Sequence, residues 1–207
     1  MSTLVVVLLA LAGAAFLALR WFEGLPNKKK KKWFTKSVNR YFVLLENLGL
    51  LRRTAAYDRD YHRQYPGLDR LETAFFSILD PRQYITPHWG YYKGYMRYHL
   101  GVIIPDNNAE QKCWLRVNDN RAQNALKDKD QIAFGEKYHW HDGEGIVFDD
   151  NYLHDASNES DQVRVVLWLD LRRKMPFYAS LFNRFVLWLA GRDKSVEKIR
   201  KKATVNA

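Results

Sequence analysis

The chemistry in this chain begins with Pro87-His88-Trp89-Gly90, Arg97-Tyr98-His99-Leu100-Gly101, His154 and Arg164. His88 and His154, far apart in sequence, offer neutral imidazole nitrogens of the kind that hold a transition metal. Arg97 and Arg164 offer something different: a guanidinium is planar, permanently charged and able to pair with a carboxylate through two parallel hydrogen bonds. Metal ligands beside a grip for a dicarboxylate are the equipment of an oxygenase, provided that one scaffold brings these residues together.

Strands can do so. Residues 95–104 alternate, so Met96, Tyr98, Leu100 and Val102 face one way while Arg97, His99, Gly101 and Ile103 face the other. Further strands are expected over 112–117, 145–148 and 163–171, the last with Arg164, Val166, Trp168 and Asp170 on one face. Asp-Asn-Asn, Asp-Gly and Asn-Glu-Ser turns separate them, a pattern that fits an antiparallel sandwich or barrel. Upstream, apolar Phe42, Val43, Leu45, Leu48 and Leu51 predict a helix over 41–51, and 68–75 reads as a helical turn or two. Residues 57–64 read as a linker or short helix, and the polar stretch 118–137 as a long loop that could select substrate. Residues 177–190 are apolar but too short to span a bilayer, which leaves a helix lying in a membrane interface or packed on the sheet.

The charge balance directs the remaining reading. Lys+Arg number 33 against Asp+Glu 23, a net +10 that calls for an anionic partner, either nucleic acid or an acidic membrane face. Thr3 to Leu19 decides for the membrane: it carries no charge, it reaches the lower limit of about 17–25 residues needed to span, and Trp21 and Phe22 suit the headgroup level. Met1-Ser2-Thr3 lacks the basic start of a cleaved signal. Five consecutive lysines, Lys28 to Lys32, then place the rest of the chain on the cytosolic side against an anionic leaflet, and nucleic acid is not the expected partner. Cys113 is the sole cysteine, so no intrachain disulfide forms.

Five ordered stretches carry a resemblance: Phe76-Ser77-Ile78-Leu79-Asp80-Pro81, Pro87-His88-Trp89-Gly90, Arg97 to Pro105, Phe148 to His154 and Val163 to Leu167. Over residues 66–176 the chain resembles the aspartyl/asparaginyl β-hydroxylase family, which includes bacterial lipid A and ornithine-lipid hydroxylases. The resemblance implies a double-stranded β-helix dependent on Fe(II), with 2-oxoglutarate and O2 as cosubstrates. It also implies roles: His88 and His154 as iron ligands, Arg164 as the clamp on the distal carboxylate of 2-oxoglutarate, and Ser77, Arg97 and His99 as further cosubstrate contacts. Related oxygenases add a carboxylate two residues after the first histidine. Gly90 stands there instead. Asp149, Asp150 or Asp155 could lend a carboxylate, and His99 could be a ligand or a core histidine. His139 and His141 read as a structural turn rather than a metal pair, Cys113 as core, and Arg116 as a solvated strand residue or a substrate contact.

The expectation is therefore a mainly β protein, a jelly-roll or cupin-like double-stranded β-helix with an N-terminal transmembrane helix and flanking helices. Its organisation reads as an anchor over 1–22, a basic juxtamembrane region over 23–65, an oxygenase domain over 66–176 and a basic amphipathic tail over 177–207. The expected activity is hydroxylation of an unactivated C–H bond, with a membrane-lipid acyl chain as substrate. Two alternatives remain: hydroxylation of Asp or Asn side chains in a protein, and an inactive lipid-binding or scaffolding barrel.

Overall fold

The computed structural model describes residues 13, 28–51, 57–58 and 71–191. All of the expected anchor but residue 13, most of the expected linker and His62 lie outside them. No helix among the described residues is long and apolar enough to cross a membrane. The chain divides into two compact units, Thr54–Arg173 and a second one formed by Met1–Arg53 with Lys174–Ala207.

The first unit is built of antiparallel strands. β1 (Tyr57–Asp58), β2 (Leu71–Leu79), β4 (Tyr95–Ile103), β7 (Gly145–Phe148) and β9 (Arg164–Arg172) form one sheet in the order β1-β7-β4-β9-β2. β3 (Gln83–His88), β5 (Cys113–Asn118), β6 (Glu136–His139) and β8 (Leu153–Asn158) form the other, in the order β3-β8-β5-β6. The pairs β5·β6, β4·β7, β3·β8 and β2·β9 make one long hairpin ribbon, and the β5·β8 and β4·β9 ladders roll it into two sheets. That winding is a jelly roll, or double-stranded β-helix. Between the sheets lies a core of Ile104, Cys113, Leu115, Val117, Trp140, Phe148, Tyr152, Ala156 and Val166.

Several expectations are corrected. Residues 71–75 are strand, not helix: they open β2, an edge strand whose apolar residues pair with β9. Ile103 does not share the face of Arg97 and His99. A bulge between Gly101 and Ile103 sets Gly101 opposite Val166 but Ile103 opposite Val165, so the extra residue turns Ile103 outward. The 118–137 loop contains two ordered elements, α2 (Arg121–Leu126) and a 3-10 turn over Lys129–Phe134. Asn120 caps α2 through a side-chain oxygen that accepts from the Gln123 amide at 3.2 Å, and Lys127 ends it in the left-handed region at φ 57°.

The second unit holds two helices, α1 (Lys28–Asn47) and α3 (Phe177–Gly191). α1 begins thirteen residues before the expected helix and takes in the whole lysine run. Its Phe34, Val38, Phe42 and Leu45 are buried at helical spacing. Phe182 of α3 meets Tyr41 and Phe42 at ring centroid distances of 4.9 and 6.0 Å, and the Tyr178 hydroxyl donates to the Leu50 carbonyl at 2.5 Å.

Candidate active site

Register brings the two histidines together. β3 pairs with β8 so that His88 lies opposite His154, and the two imidazole centroids are 4.2 Å apart. The Nδ1 atom of His88 is 2.8 Å from the Thr86 carbonyl oxygen, and Nδ1 of His154 is 2.8 Å from that of Tyr152. A carbonyl oxygen only accepts, so Nδ1 carries the proton in both rings and the Nε2 lone pair is left free. Burial, reinforced by the neighbouring His88, lowers the His154 pKa to about 3, which keeps this ring neutral through the physiological range.

From this pair a run of packed rings crosses the sandwich. His154 meets Phe148 at 5.6 Å, Phe148 meets His99 at 5.0 Å, and His99 meets Trp140 at 5.8 Å. Arg164 then lies over the Trp140 ring at 4.5 Å. Arg164 is almost wholly buried, yet it forms no salt bridge among the described residues: Nη1 reaches the Ser77 carbonyl at 3.4 Å and Nε has no partner. Burial lowers its pKa to about 10. Both ring nitrogens of the buried His99 also lack hydrogen-bond partners, and burial together with Arg97 and Arg164 holds its pKa well below the usual histidine range. Buried polar groups are normally satisfied. Two unsatisfied ones on the same inner face mark a place for a ligand with negative charge and acceptor oxygens.

Arg97 is differently occupied. It pairs with Asp150 at 3.0 Å and Asp170 at 3.3 Å, and it stacks over Trp168 at 3.7 Å. Asp150 in turn occupies the space beside Gly90. The Gly90 amide donates to the Asp150 carbonyl at 2.7 Å, and a Cβ added at Gly90 would meet the Asp150 carboxylate oxygens at 2.2 and 2.5 Å. Burial pushes the Asp150 carboxyl up to about 6 against the pull of Arg97. Glycine is therefore required at position 90 by the approach of Asp150, not by backbone conformation. The other two weighed aspartates are engaged elsewhere. Asp149 pairs with Arg173. Asp155, next to His154, points to the opposite face of the sheet, where Arg116 donates from Nε at 3.0 Å and from Nη2 at 2.6 Å, and Tyr84 donates at 2.6 Å. Arg116 thus belongs to the outer face of the four-stranded sheet and away from the histidines. His139 and His141 hold carbonyls of the 105–111 turn, through Gln111 at 3.1 Å and Asn107 at 2.9 Å.

Sequence reading gave Asn124 no role. Its Oδ1 accepts from Trp89 Nε1 at 3.1 Å and from the Leu153 amide at 2.6 Å, so one buried side chain ties the residue after His88 to the residue before His154. The only signal was the polar density of 118–137, which locates a loop but not a contact. Among the described residues no cluster of three His, Cys, Asp or Glu side chains able to hold a metal is present. The two imidazoles, 4.2 Å apart between centroids and each with Nδ1 turned to a carbonyl, would leave their Nε2 atoms to a transition metal.

A jelly roll with two paired imidazoles and a buried guanidinium that has no carboxylate partner defines a protein of the double-stranded β-helix class. Residues 59–174 match the model of the aspartyl/asparaginyl beta-hydroxylase family, more than half of the chain, and the chain belongs to that family. It is 36% identical over 126 residues to the ornithine lipid ester-linked acyl 2-hydroxylase of Rhizobium tropici, covering 61% of this chain and 36% of that protein. It is 31% identical to the aspartate beta-hydroxylase domain-containing protein 2 of Xenopus tropicalis, over 68% of this chain and 33% of the relative. Against the aspartyl/asparaginyl beta-hydroxylase of Mus musculus the identity is 24%, over 46% of this chain and 10% of the relative. The chain thus spans about a third of the length of the first two and a tenth of the third. A solved cupin domain from Enterobacter cloacae aligns over 49% of this chain with 14% identity and a TM-score of 0.33.

Proposed function

We propose that the chain is a membrane-associated, Fe(II)- and 2-oxoglutarate-dependent hydroxylase that oxidises an unactivated C–H bond of a lipid acyl chain. The observation that carries this reading is Arg164: a nearly fully buried arginine with no carboxylate of its own, joined to the histidine pair by a short run of packed rings. Iron, when bound with 2-oxoglutarate and O2, supplies decarboxylation to succinate and CO2 coupled to insertion of one oxygen atom into the substrate C–H bond. The chain's residues bind and orient. His88 and His154 present Nε2 to the metal, while Arg164 grips the distal carboxylate with Ser77 and His99 along its wall. Arg97 acts through Asp150, holding that carboxylate against Gly90. Phe148 and Trp140 exclude water between them. The acyl-chain substrate is supported by the 36% identity to a relative named for that activity, and Lys28–Lys32 sets the catalytic unit on the cytosolic face of an anionic leaflet.

The test uses the full-length protein with Fe(II), ascorbate and 2-oxoglutarate: succinate release, raised by an added acyl lipid, with that lipid gaining one oxygen by mass spectrometry. Arg164→Lys should raise the 2-oxoglutarate requirement roughly tenfold or more through loss of the bidentate pair. An unchanged requirement removes the clamp assignment. A second reading, hydroxylation of Asp or Asn side chains, is favoured by the 24% identity to the mouse relative. Succinate release stimulated by Asp- or Asn-containing peptides but not by lipid decides for it. Absence of turnover with every acceptor decides for a lipid-binding barrel without activity.

A further inference from the structure

The two helices of the second unit expose an unusual combination. On α1, Phe34, Val38, Phe42 and Leu45 are buried, and the opposite face carries Trp33, Lys36, Arg40 and Leu44, with the exposed Leu48 in the turn just past the helix end. On α3, Ala179, Phe182, Val186 and Leu189 are buried, and the opposite stripe at i, i+4, i+7 and i+11 is Phe177, Leu181, Arg184 and Trp188. Trp33, Leu44, Leu48, Phe177, Leu181 and Trp188 each leave half or more of their surface in water. Surface helices ordinarily show the reverse, a polar face outward. The charges among these apolar groups are all of one sign. Glu46, the only acid of α1, is buried, and α3 has none.

A second anomaly concerns the start of α1. The helix opens on five consecutive lysines and has no acid in its first turn. The positive end of a helix dipole disfavours cations, so this arrangement costs local stability in water and is relieved by an external anion. Nucleic acid would satisfy the charge but not the leucines and tryptophans. A second copy of the chain would cover the apolar groups but would bring the same basic surface into repulsion with itself.

We infer that the exposed faces of α1 and α3 are a docking surface for an anionic lipid bilayer, with Leu44, Leu48, Leu181 and Trp188 entering the interface and Lys36, Arg40 and Arg184 at the headgroups. This is the geometry of an amphipathic helix lying in the membrane plane. It deepens the lipid reading above but does not depend on turnover.

The experiment uses the full chain with a nitroxide placed singly by Leu181→Cys, Trp188→Cys or Leu44→Cys, with the buried native Cys113 replaced by Ala in each. The protein is mixed with vesicles of phosphatidylcholine alone or with added phosphatidylglycerol. Lys129→Cys, on the exposed face of the β unit, is the control. The expected result is that, with the anionic vesicles, oxygen collides with the labels at 44, 181 and 188 far more than a water-soluble nickel chelate does, while Lys129→Cys stays in water. Lys36→Glu with Arg40→Glu should lower the immersed-to-aqueous ratio at 188 at least about tenfold, since each cation near the surface contributes roughly 1 kcal/mol. Nickel accessibility at 181 and 188 equal to the control overturns the inference. Labels shielded from both reagents, with chains that cross-link to each other, overturn it in favour of a second copy. Lipid hydroxylation with aqueous labels sinks this surface alone, whereas immersed labels on a chain that oxidises only peptides sink the lipid-substrate reading alone.

Discussion

Arg116 and Arg164 sit on strands of the same sandwich and face opposite fates. Arg116, on the outer face of the four-stranded sheet, is closed on itself: a bidentate pair with Asp155, the Tyr84 hydroxyl on the same carboxylate, and Trp114 beneath at 5.3 Å. Arg164, on the inner face, has an aromatic ring beneath it and no carboxylate. Both burials cost desolvation, but only the outer one is offset within the chain. A charge carried into the core without a counter-charge is a cost that folding alone does not explain, and a dicarboxylate ligand supplies what is missing. β8 displays the same division in successive residues, with His154 toward the pocket and Asp155 toward the outer lattice.

The largest effect separates the inner face from the outer completely. His88→Ala or His154→Ala should bring iron retained after desalting to background, measured by elemental analysis, with the β circular dichroism unchanged. Arg116→Met should leave iron content at the wild-type level. Iron retained by both histidine variants would break the assignment of function to the inner face.

Stability should sort the two arginines in the opposite sense. Arg116→Met strands the fully buried Asp155 carboxylate and should cost about 3 kcal/mol in urea unfolding. Arg164→Met removes a charge that has no counter-charge and should be neutral or stabilising in the absence of 2-oxoglutarate. If Arg164→Met destabilises as much as Arg116→Met, the contrast fails and Arg164 is structural.

Position 90 sharpens the boundary of the pocket. Gly90→Ala sets a methyl within 2.2 Å of the Asp150 carboxylate and must displace it, with loss of about 1–3 kcal/mol as for other overpacked sites. Asp150→Gly in the same chain should restore much of that loss in thermal unfolding. Additive losses in the double variant would show that the two positions do not compete for one space.

The inner face was legible in the sequence where strands alternate, and much less so where they do not. β4 announces itself by period two, and its alternation correctly sets Arg97 and His99 together. β8, Leu-His-Asp-Ala-Ser-Asn, has no apolar run, yet all six residues are buried. It lies between β3 and β5, and its polar groups are met by partners remote in sequence: Asn158 donates to the carbonyls of Leu79 and Asp80, and Asp155 takes Arg116. Hydrophobic periodicity cannot reveal burial that is achieved by long-range hydrogen bonds. β2 failed for the converse reason. Phe75, Phe76 and Ile78 form an apolar run on an exposed edge, where period alone cannot distinguish strand from helix. Asn124 was invisible because its importance lies in joining Trp89 to Leu153, which only the folded register brings near.

The smallest effect is a pH dependence that belongs to the inner face alone. His154 is lowered to about 3 and His99 is also held well below 6.5, so as pH falls below the ordinary histidine range the unfolded chain binds more protons at these two sites than the folded one. Their contribution is present above 6.5 and is lost as pH falls. Asp150 acts oppositely: raised to about 6, it favours the folded state at low pH and loses that contribution as pH rises through 6. Two lowered histidines against one raised aspartate leave an excess of protons on the unfolded chain, so metal-free protein should lose stability on acidification from 6 to 4. His154→Phe should flatten that slope, because the one remaining histidine and Asp150 then offset each other. Urea midpoints of the metal-free protein across this range measure it, and an unchanged slope in His154→Phe would show that the acid sensitivity arises outside the histidine pair.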